Sequence, residues 1–278
     1  MNKEPIIISQ SLIKASDSDS NPDWCPRKVQ AIYLKGMQSE PSETMEVGNY
    51  FETLAFGATD SGMRTQAPID KRTGSIKLKF QRAQVHAARF LSEYKEKYKM
   101  NFLKQRHHIH VQIEGEPNYI LRARLDILTS LYDPINFPDE PLHPIVIMDT
   151  KMTGSILSTY PPFSWGAPQL MDHIQADLYS MCYEAKHGKA VPFYYLVMDT
   201  SPQMKHMLYY KPVTTADKRI VRERIRRTIA TINLYNDSTD GGDWPARPNA
   251  DNCKRCPLSE ICPEYSKGIT IKTIYSTH

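Results

Sequence analysis

"IVIMDTKMTG", residues 145–154, is the stretch from which the rest of the chain can be read. Ile145 to Met148 are apolar on both faces, the composition of a central strand covered from both sides. Asp149 and Lys151 follow at i and i+2, so in an extended chain they point to one face. Two charges therefore stand at the mouth of a core, and a half-buried charge must be paired or bound to a metal. Taken alone, the pair fits an ordinary ion pair at a strand end or half of a metal site.

The segments upstream bear on that choice. "HHIHVQI" (107–113) alternates strictly and predicts a half-buried strand; "GEPN" turns the chain into "YILRARLDIL" (119–128), the second arm of a hairpin. Asp126 lies near the end of that arm, between apolar Leu125 and Ile127. If the arm pairs with 145–149, Asp126 and Asp149 come within reach of one divalent ion. Two carboxylates on Mg²⁺ or Mn²⁺ with a lysine beside them suit phosphodiester hydrolysis: the ion activates water and neutralises developing charge, and the ammonium steadies an oxygen. Asp126 also shares its face with Arg122 and Arg124, which fits a surface ion pair instead.

Further out, "PSETMEVGNYFETLAFGA" (41–58) predicts a helix with Ser42 as its N-cap. Gly48 and Glu52 stand at i and i+4 on one face, where glycine would allow close approach to sheet or substrate and Glu52 either reaches the metal, directly or through water, or is simply solvated. A basic helix is expected over 75–100, a proline-rich loop over 131–144, and a helix opened by Pro168 and running to about Lys186. That helix carries Gln175 and Tyr179 at i and i+4, flanking the apolar stripe of Ile174, Leu178 and Met181; such a pair is more often a plain helix flank, but it also suits contact with a phosphate or orientation of Lys151. A buried strand (191–199), an edge strand (204–212) and a helix (215–236) complete a mixed α/β order, and the tail from Gly241 reads as loop.

Composition bounds the rest. The 278 residues carry 35 Lys and Arg against 31 Asp and Glu, a net +4 that by itself says little about a polyanionic partner. No run approaches the eighteen apolar residues of a membrane span, and the N-terminus lacks a secretory or transit pattern, so a cytoplasmic chain without membrane attachment is expected. In that compartment the five cysteines are thiols, and clustered thiols point to metal. Cys253, Cys256 and Cys262 are such a cluster, one ligand short of the usual four. Cys182, inside a predicted helix, reads as a small buried residue. In "DKRIVRERIRRTI" (217–229) Arg222, Arg226 and Arg227 suit phosphate-backbone contacts, or simply a solvated basic face. His107, His108 and His110 fit a solvated strand face better than a second metal site.

Gly-x-x-x-Glu, then Asp, then Asp-x-Lys, then Gln-x-x-x-Tyr, with C-x2-C-x5-C at the C-terminal end, resembles the iron–sulfur members of the RecB-like branch of the PD-(D/E)XK nucleases. These are the CRISPR-associated and phage-borne RecB-like exonucleases and the AddB nuclease domain. The resemblance spans roughly residues 24 to 263. It implies a restriction-endonuclease-like core over 1–240, with a mixed sheet flanked by helices, and a cysteine-ligated iron–sulfur tail over 241–278. It implies metal-binding acids at Glu52, Asp126 and Asp149, with Thr150 contributing to the same Mg²⁺ or Mn²⁺ site, a catalytic Lys151, and a helix motif at Gln175 and Tyr179. It implies a 4Fe-4S cluster on Cys25, Cys253, Cys256 and Cys262, where spacing alone favours zinc. Ala123 stands where the family has glycine, and Asp149 where it more often has glutamate. The implied activity is exonucleolytic hydrolysis of DNA, single-stranded or at duplex ends, in recombination, repair or end processing. With no Walker A motif in the chain, a helicase, recombination or CRISPR partner would supply unwinding, and self-association stays open. The competing class is a non-catalytic DNA-end-binding adaptor that acts within a complex.

Overall fold

The computed structural model describes residues 4–19, 21, 24–38, 41–57, 66–159, 165–248, 253 and 256–262. In chain order the elements are β1 (Ile6–Ser9), α1 (Gln10–Ser16), α2 (Pro26–Val29) with a π-helical turn Gln30–Leu34, α3 (Glu43–Phe56), α4 (Leu78–Arg89) with a π-helical turn Phe90–Tyr94, and α5 (Lys95–Lys97). There follow β2 (Phe102–Ile113), β3 (Glu116–Tyr132), β4 (Leu142–Thr153), α6 (Ile174–His187), β5 (Phe193–Asp199), β6 (His206–Lys211) and α7 (Thr215–Ser238). Two compact units emerge: Pro41–Val111 with Arg122–Lys218, and Met1–Glu40 with Gln112–Leu121 and Arg219–His278.

The first of these is a mixed sheet with helical cover. Its strands run in the order β3-β4-β5-β6, with β2 pairing β3. β3 and β4 are antiparallel, with Ile127 opposite Met148 and Thr129 opposite Val146. β4 and β5 are parallel, which the intervening α6 crossover requires. All seven residues of β5 are buried, so the strand is covered on both faces, as its near-continuous apolar sequence demands. Ser42 caps α3, its hydroxyl accepting from Met45 N at 3.3 Å. Val47, Tyr50 and Phe51 of α3 and Phe80, Ala83 and Ala87 of α4 bury against Ile127, Met148 and Leu196 of the sheet. Phe51, Phe56 and Phe102 crowd around Phe90 at centroid distances of 5.3 to 5.9 Å.

The hairpin strands run longer than their sequence signatures, β2 from Phe102 and β3 from Glu116 to Tyr132, and three further boundaries differ from expectation. β4 does not stop at Asp149 but continues to Thr153, because β5 pairs with it as far as Thr153 opposite Asp199. Pro168 opens only a 3₁₀ turn, Pro168–Leu170; Asp172, accepting from Ile174 N at 3.1 Å, starts α6 afresh. The basic helix 75–100 is interrupted by the π-helical turn after Arg89.

The second unit gathers the two ends of the chain. Ile8, Leu12 and Ile13 are fully buried. Trp244 is 1 % exposed, packs against Tyr235 with ring centroids 5.2 Å apart and planes tilted by 35°, and donates from Nε1 to Asn236 Oδ1 at 3.0 Å. Gln30 bridges the same segment: its Oε1 accepts from Trp244 N at 3.0 Å and its Nε2 donates to Gly242 O at 2.8 Å. As far as Pro248 the tail is a loop, as expected, but one held down by the buried Trp244.

Candidate active site

The β3–β4 register decides where the acids stand. One step beyond Ile127 opposite Met148, Asp126 comes level with Asp149. Asp126 is buried and is not a surface ion pair: its Oδ2 accepts from Thr150 N at 2.9 Å and from Thr150 Oγ1 at 3.1 Å. Asp149, 1 % exposed, accepts at Oδ1 from Gln175 Nε2 at 2.6 Å. Its Oδ2 has the Lys151 ammonium 2.5 Å away as an ion pair, with no well-directed hydrogen bond. Gln175 therefore orients Asp149, not Lys151. Tyr179, one turn along α6, is buried beside the same group.

Electrostatics follow from burial. Desolvation raises the Asp149 carboxyl pKa, Lys151 opposes the rise, and Asp126 adds to it. Burial works against the charge on Lys151, but Asp149 and Asp126 outweigh it and hold its pKa above the ordinary lysine value. Burial, aided by Asp149 and Asp126, pushes the Tyr179 hydroxyl up to about 12, so it stays protonated.

Glu52 reaches the site from α3, four residues after Gly48. Its Oε2 lies 3.1 Å from Arg124 Nη2 and 3.6 Å from Arg106 Nη2. Burial and then Asp126 push its carboxyl up to about 7, against Arg124, Arg106 and Lys151. Gly48 is not demanded by packing, since a Cβ placed there meets nothing within 4 Å. Arg106 carries no signal in the sequence, where nothing local brings β2 to α3.

The remaining candidates lie elsewhere. His108 and His110 are exposed on β2. Arg222, Arg226 and Arg227 are exposed on α7, where Arg227 pairs with Glu223 at 3.1 Å and with Asp19 at 3.7 Å, and Arg226 with Glu223 at 3.9 Å. Cys182 is buried in α6. In the unit that holds both chain ends, Cys25, Cys253, Cys256 and Cys262 line one cavity with Arg27, Ala246 and Leu258. Cys25 Sγ accepts from Arg247 N at 3.3 Å, and burial, with Cys25 and Cys253 close by, raises the Cys256 pKa.

A family model described as the PD-(D/E)XK nuclease superfamily matches residues 25–263, from Cys25 to one residue past Cys262. The chain belongs to the PD-(D/E)XK nuclease superfamily. This nuclease-family chain also shares its fold with a crystal structure of an exonuclease candidate from Eubacterium rectale. The TM-score is 0.58 at 18 % identity, over 99 % of this chain and 92 % of that one. No curated protein matches it in sequence.

Nucleases of this superfamily generally use divalent metals. Among the described residues no group of three or more His, Cys, Asp or Glu is gathered as an assembled metal site. The donor chemistry nevertheless fits: Asp126 and Asp149 stand on the strand pair, Glu52 of α3 is near enough for its charge to act on both, and the buried Asp149 Oδ2 has the Lys151 ammonium but no directed hydrogen bond. The carboxylates are turned to protein partners, Glu52 to two arginines, Asp149 to Gln175 and Lys151, Asp126 to Thr150. Among the described residues no helix is long and apolar enough to cross a membrane.

Proposed function

We propose that this protein is a Mg²⁺- or Mn²⁺-dependent deoxyribonuclease that hydrolyses phosphodiester bonds at DNA ends. The observation that carries the reading is the convergence of Asp126, Asp149 and Lys151 on one strand pair, with Gln175 on Asp149 at 2.6 Å. Glu52, Asp126, Asp149 and Thr150 would hold the ion, which when bound supplies a Lewis acid for the phosphate and a more acidic water. Lys151, kept charged by the two aspartates, places a cation beside the scissile phosphate. Thr150 and Gln175 fix the two aspartates in place, and buried Tyr179 limits water at the back of the site. The preference for ends rests on the likeness to the Eubacterium rectale exonuclease candidate.

The reading includes a 4Fe-4S cluster on Cys25, Cys253, Cys256 and Cys262. It is supported by four thiols around one cavity and by a backbone N–H on Cys25 Sγ, the kind of bond that stabilises a ligand thiolate. Contacts of DNA with Arg222, Arg226 and Arg227 belong to the same proposal. The test is cleavage of end-labelled single-stranded and duplex DNA with Mn²⁺. Asp149→Ala and Lys151→Ala are expected to abolish cleavage while leaving DNA binding largely intact. Near-normal hydrolysis by purified Asp149→Ala would overturn the assignment. One stoichiometric zinc in a colourless protein would refute the cluster and keep the four-thiol site.

A further inference from the structure

The hydrolytic site does not account for the two arginines on Glu52. Arg124 is supplied in the ordinary way: it precedes Asp126 by two residues on β3, so both point to one face. Arg106 is not. Its φ is +48° within β2, a left-handed conformation rare for a long side chain. Such a residue persists where the surrounding structure imposes it, and these residues gather at functional sites. Here the alternation of β2 breaks, with Arg106 and His107 both half-buried in succession. The strained residue is the one that delivers a second guanidinium to the Glu52 carboxylate.

The charges explain what the arrangement can do. In this structure Glu52, Asp126 and Asp149 stand against Arg106, Arg124 and Lys151, three acids, two of them with raised pKa values, against three cations. A divalent ion in the same place adds two positive charges. The excess is relieved if Glu52 turns to the ion and a guanidinium turns to an arriving anion. A DNA phosphate is that anion, and it matches the planar donors of arginine. Arg124, with a side chain 37 % exposed, is free to meet it; Arg106, at 16 %, is more enclosed.

We propose that Arg124 and Arg106 form a latch that holds Glu52 in the resting protein, and that uptake of the divalent ion releases Arg124 to a phosphate of the DNA strand. The latch rests on the nuclease reading above. It couples the two ligands: metal strengthens DNA binding, and by linkage DNA strengthens metal binding.

The first test is calorimetric titration of DNA-free protein with Mn²⁺ alone. Arg124→Ala is expected to bind Mn²⁺ about fivefold more tightly, the scale of one partly exposed ion pair. In a Glu52→Gln background the same substitution is expected to change nothing, because no carboxylate remains to be latched. An equal gain in both backgrounds would mean that removing a positive charge is enough, and the latch is wrong. Unchanged or weaker Mn²⁺ affinity in Arg124→Ala overturns it too. Arg124→Gln serves where the alanine variant does not fold.

The second test uses DNA binding in a Lys151→Met background. Mn²⁺ is expected to steepen the log–log salt dependence by about one more unit with Arg124 present than with Arg124→Ala. An equal steepening overturns release to a phosphate. Arg106→Gly removes the guanidinium and relaxes the backbone. It is expected to keep at least the wild-type Tm while gaining Mn²⁺ affinity, and a lower Tm without that gain removes Arg106 from the latch. The underlying reading has its own control. If Mn²⁺ uptake survives the double variant Asp126→Asn, Asp149→Asn, the metal site itself is misplaced and the latch falls with it.

Discussion

Replacing Gln175 by methionine removes one hydrogen bond and little volume. Gln175 Nε2 donates to Asp149 Oδ1 at 2.6 Å, and Asp149 is 1 % exposed, so water cannot take over the bond. Hydrogen bonds to charged groups are worth about 1.5–3 kcal/mol. The Lys151 ammonium already compensates the Asp149 charge from 2.5 Å, so the lower end applies. About 1.5 kcal/mol corresponds to a Tm lowered by roughly 3–6 °C for a chain of this size. The effect on turnover should be larger than stability suggests. Partners that orient metal ligands typically change affinity or activity by about tenfold to a hundredfold. Gln175→Glu should lose more than Gln175→Met, because it sets a second acceptor against a buried carboxylate. Thermal denaturation and Mn²⁺-dependent cleavage of end-labelled DNA measure both effects. Wild-type turnover and wild-type Tm in Gln175→Met would refute the claim that this bond holds Asp149.

Gly48→Ala should raise stability by about 0.5–1 kcal/mol, since a Cβ meets nothing there and alanine is the better helix former; a loss in denaturant unfolding would show a hidden clash. Acid should weaken the fold through His86 and His206. Burial lowers both pKa values, that of His206 to about 4, while in the unfolded chain both titrate near 6.5. The unfolded state then binds more protons, so their contribution is complete above about pH 6.5 and lost as pH falls towards 4. Glu52 and Asp149, with raised pKa values, act in the opposite sense, so the comparison to make is with His206→Phe, whose stability should fall less between pH 7 and 5. In salt titrations of DNA binding, charge reversal at Arg222, Arg226 and Arg227 should lower the log–log slope by about one for each phosphate that is no longer neutralised, and an unchanged slope would leave α7 a solvated face. Anaerobically purified protein should contain about four irons per chain, Cys25→Ser should lose them, and Cys182→Ser should not, which iron analysis and visible absorbance decide.

The sequence made the central part of this molecule legible because its signals are local. Four apolar residues before Asp149 announce a doubly covered strand, and β4 and β5 bear this out. The alternation of 107–113 and the turn after it announce the β2–β3 hairpin. The i, i+2 and i, i+4 spacings put Asp149 with Lys151 and Gly48 with Glu52 without knowledge of the fold. What stayed hidden depends on pairing across the chain or on backbone geometry. The end of β4 lies beyond the apolar run because parallel pairing with β5, and not composition, carries it on to Thr153. Only the family resemblance links Thr150 to the metal site in the sequence; its grip on Asp126 through both N–H and hydroxyl appears only in three dimensions. Arg106 left no trace, since nothing in "LKQRHHIH" distinguishes a residue at φ +48°.

The cysteine site raises a question of order. Cys25 and Cys253 are 228 residues apart (253 − 25), a loop whose closure by thiols alone would oppose assembly. The structure offers a shorter route. Trp244 is buried on Tyr235 and tied through its backbone to Gln30; Asp243 pairs with Arg27 and with Lys35; Arg27 N donates to Pro245 O at 3.2 Å. With Trp244 docked, the chain left to close runs only nine residues to Cys253 (253 − 244). By the logarithmic dependence of closure entropy on length, going from 228 to nine residues lowers the cost by about 3 kcal/mol. An apolar anchor thus lowers the cost of bringing Cys25 and the three C-terminal thiols together. A metal centre at this position would complete a clamp that the protein has already begun, and would not have to build one from loose ends.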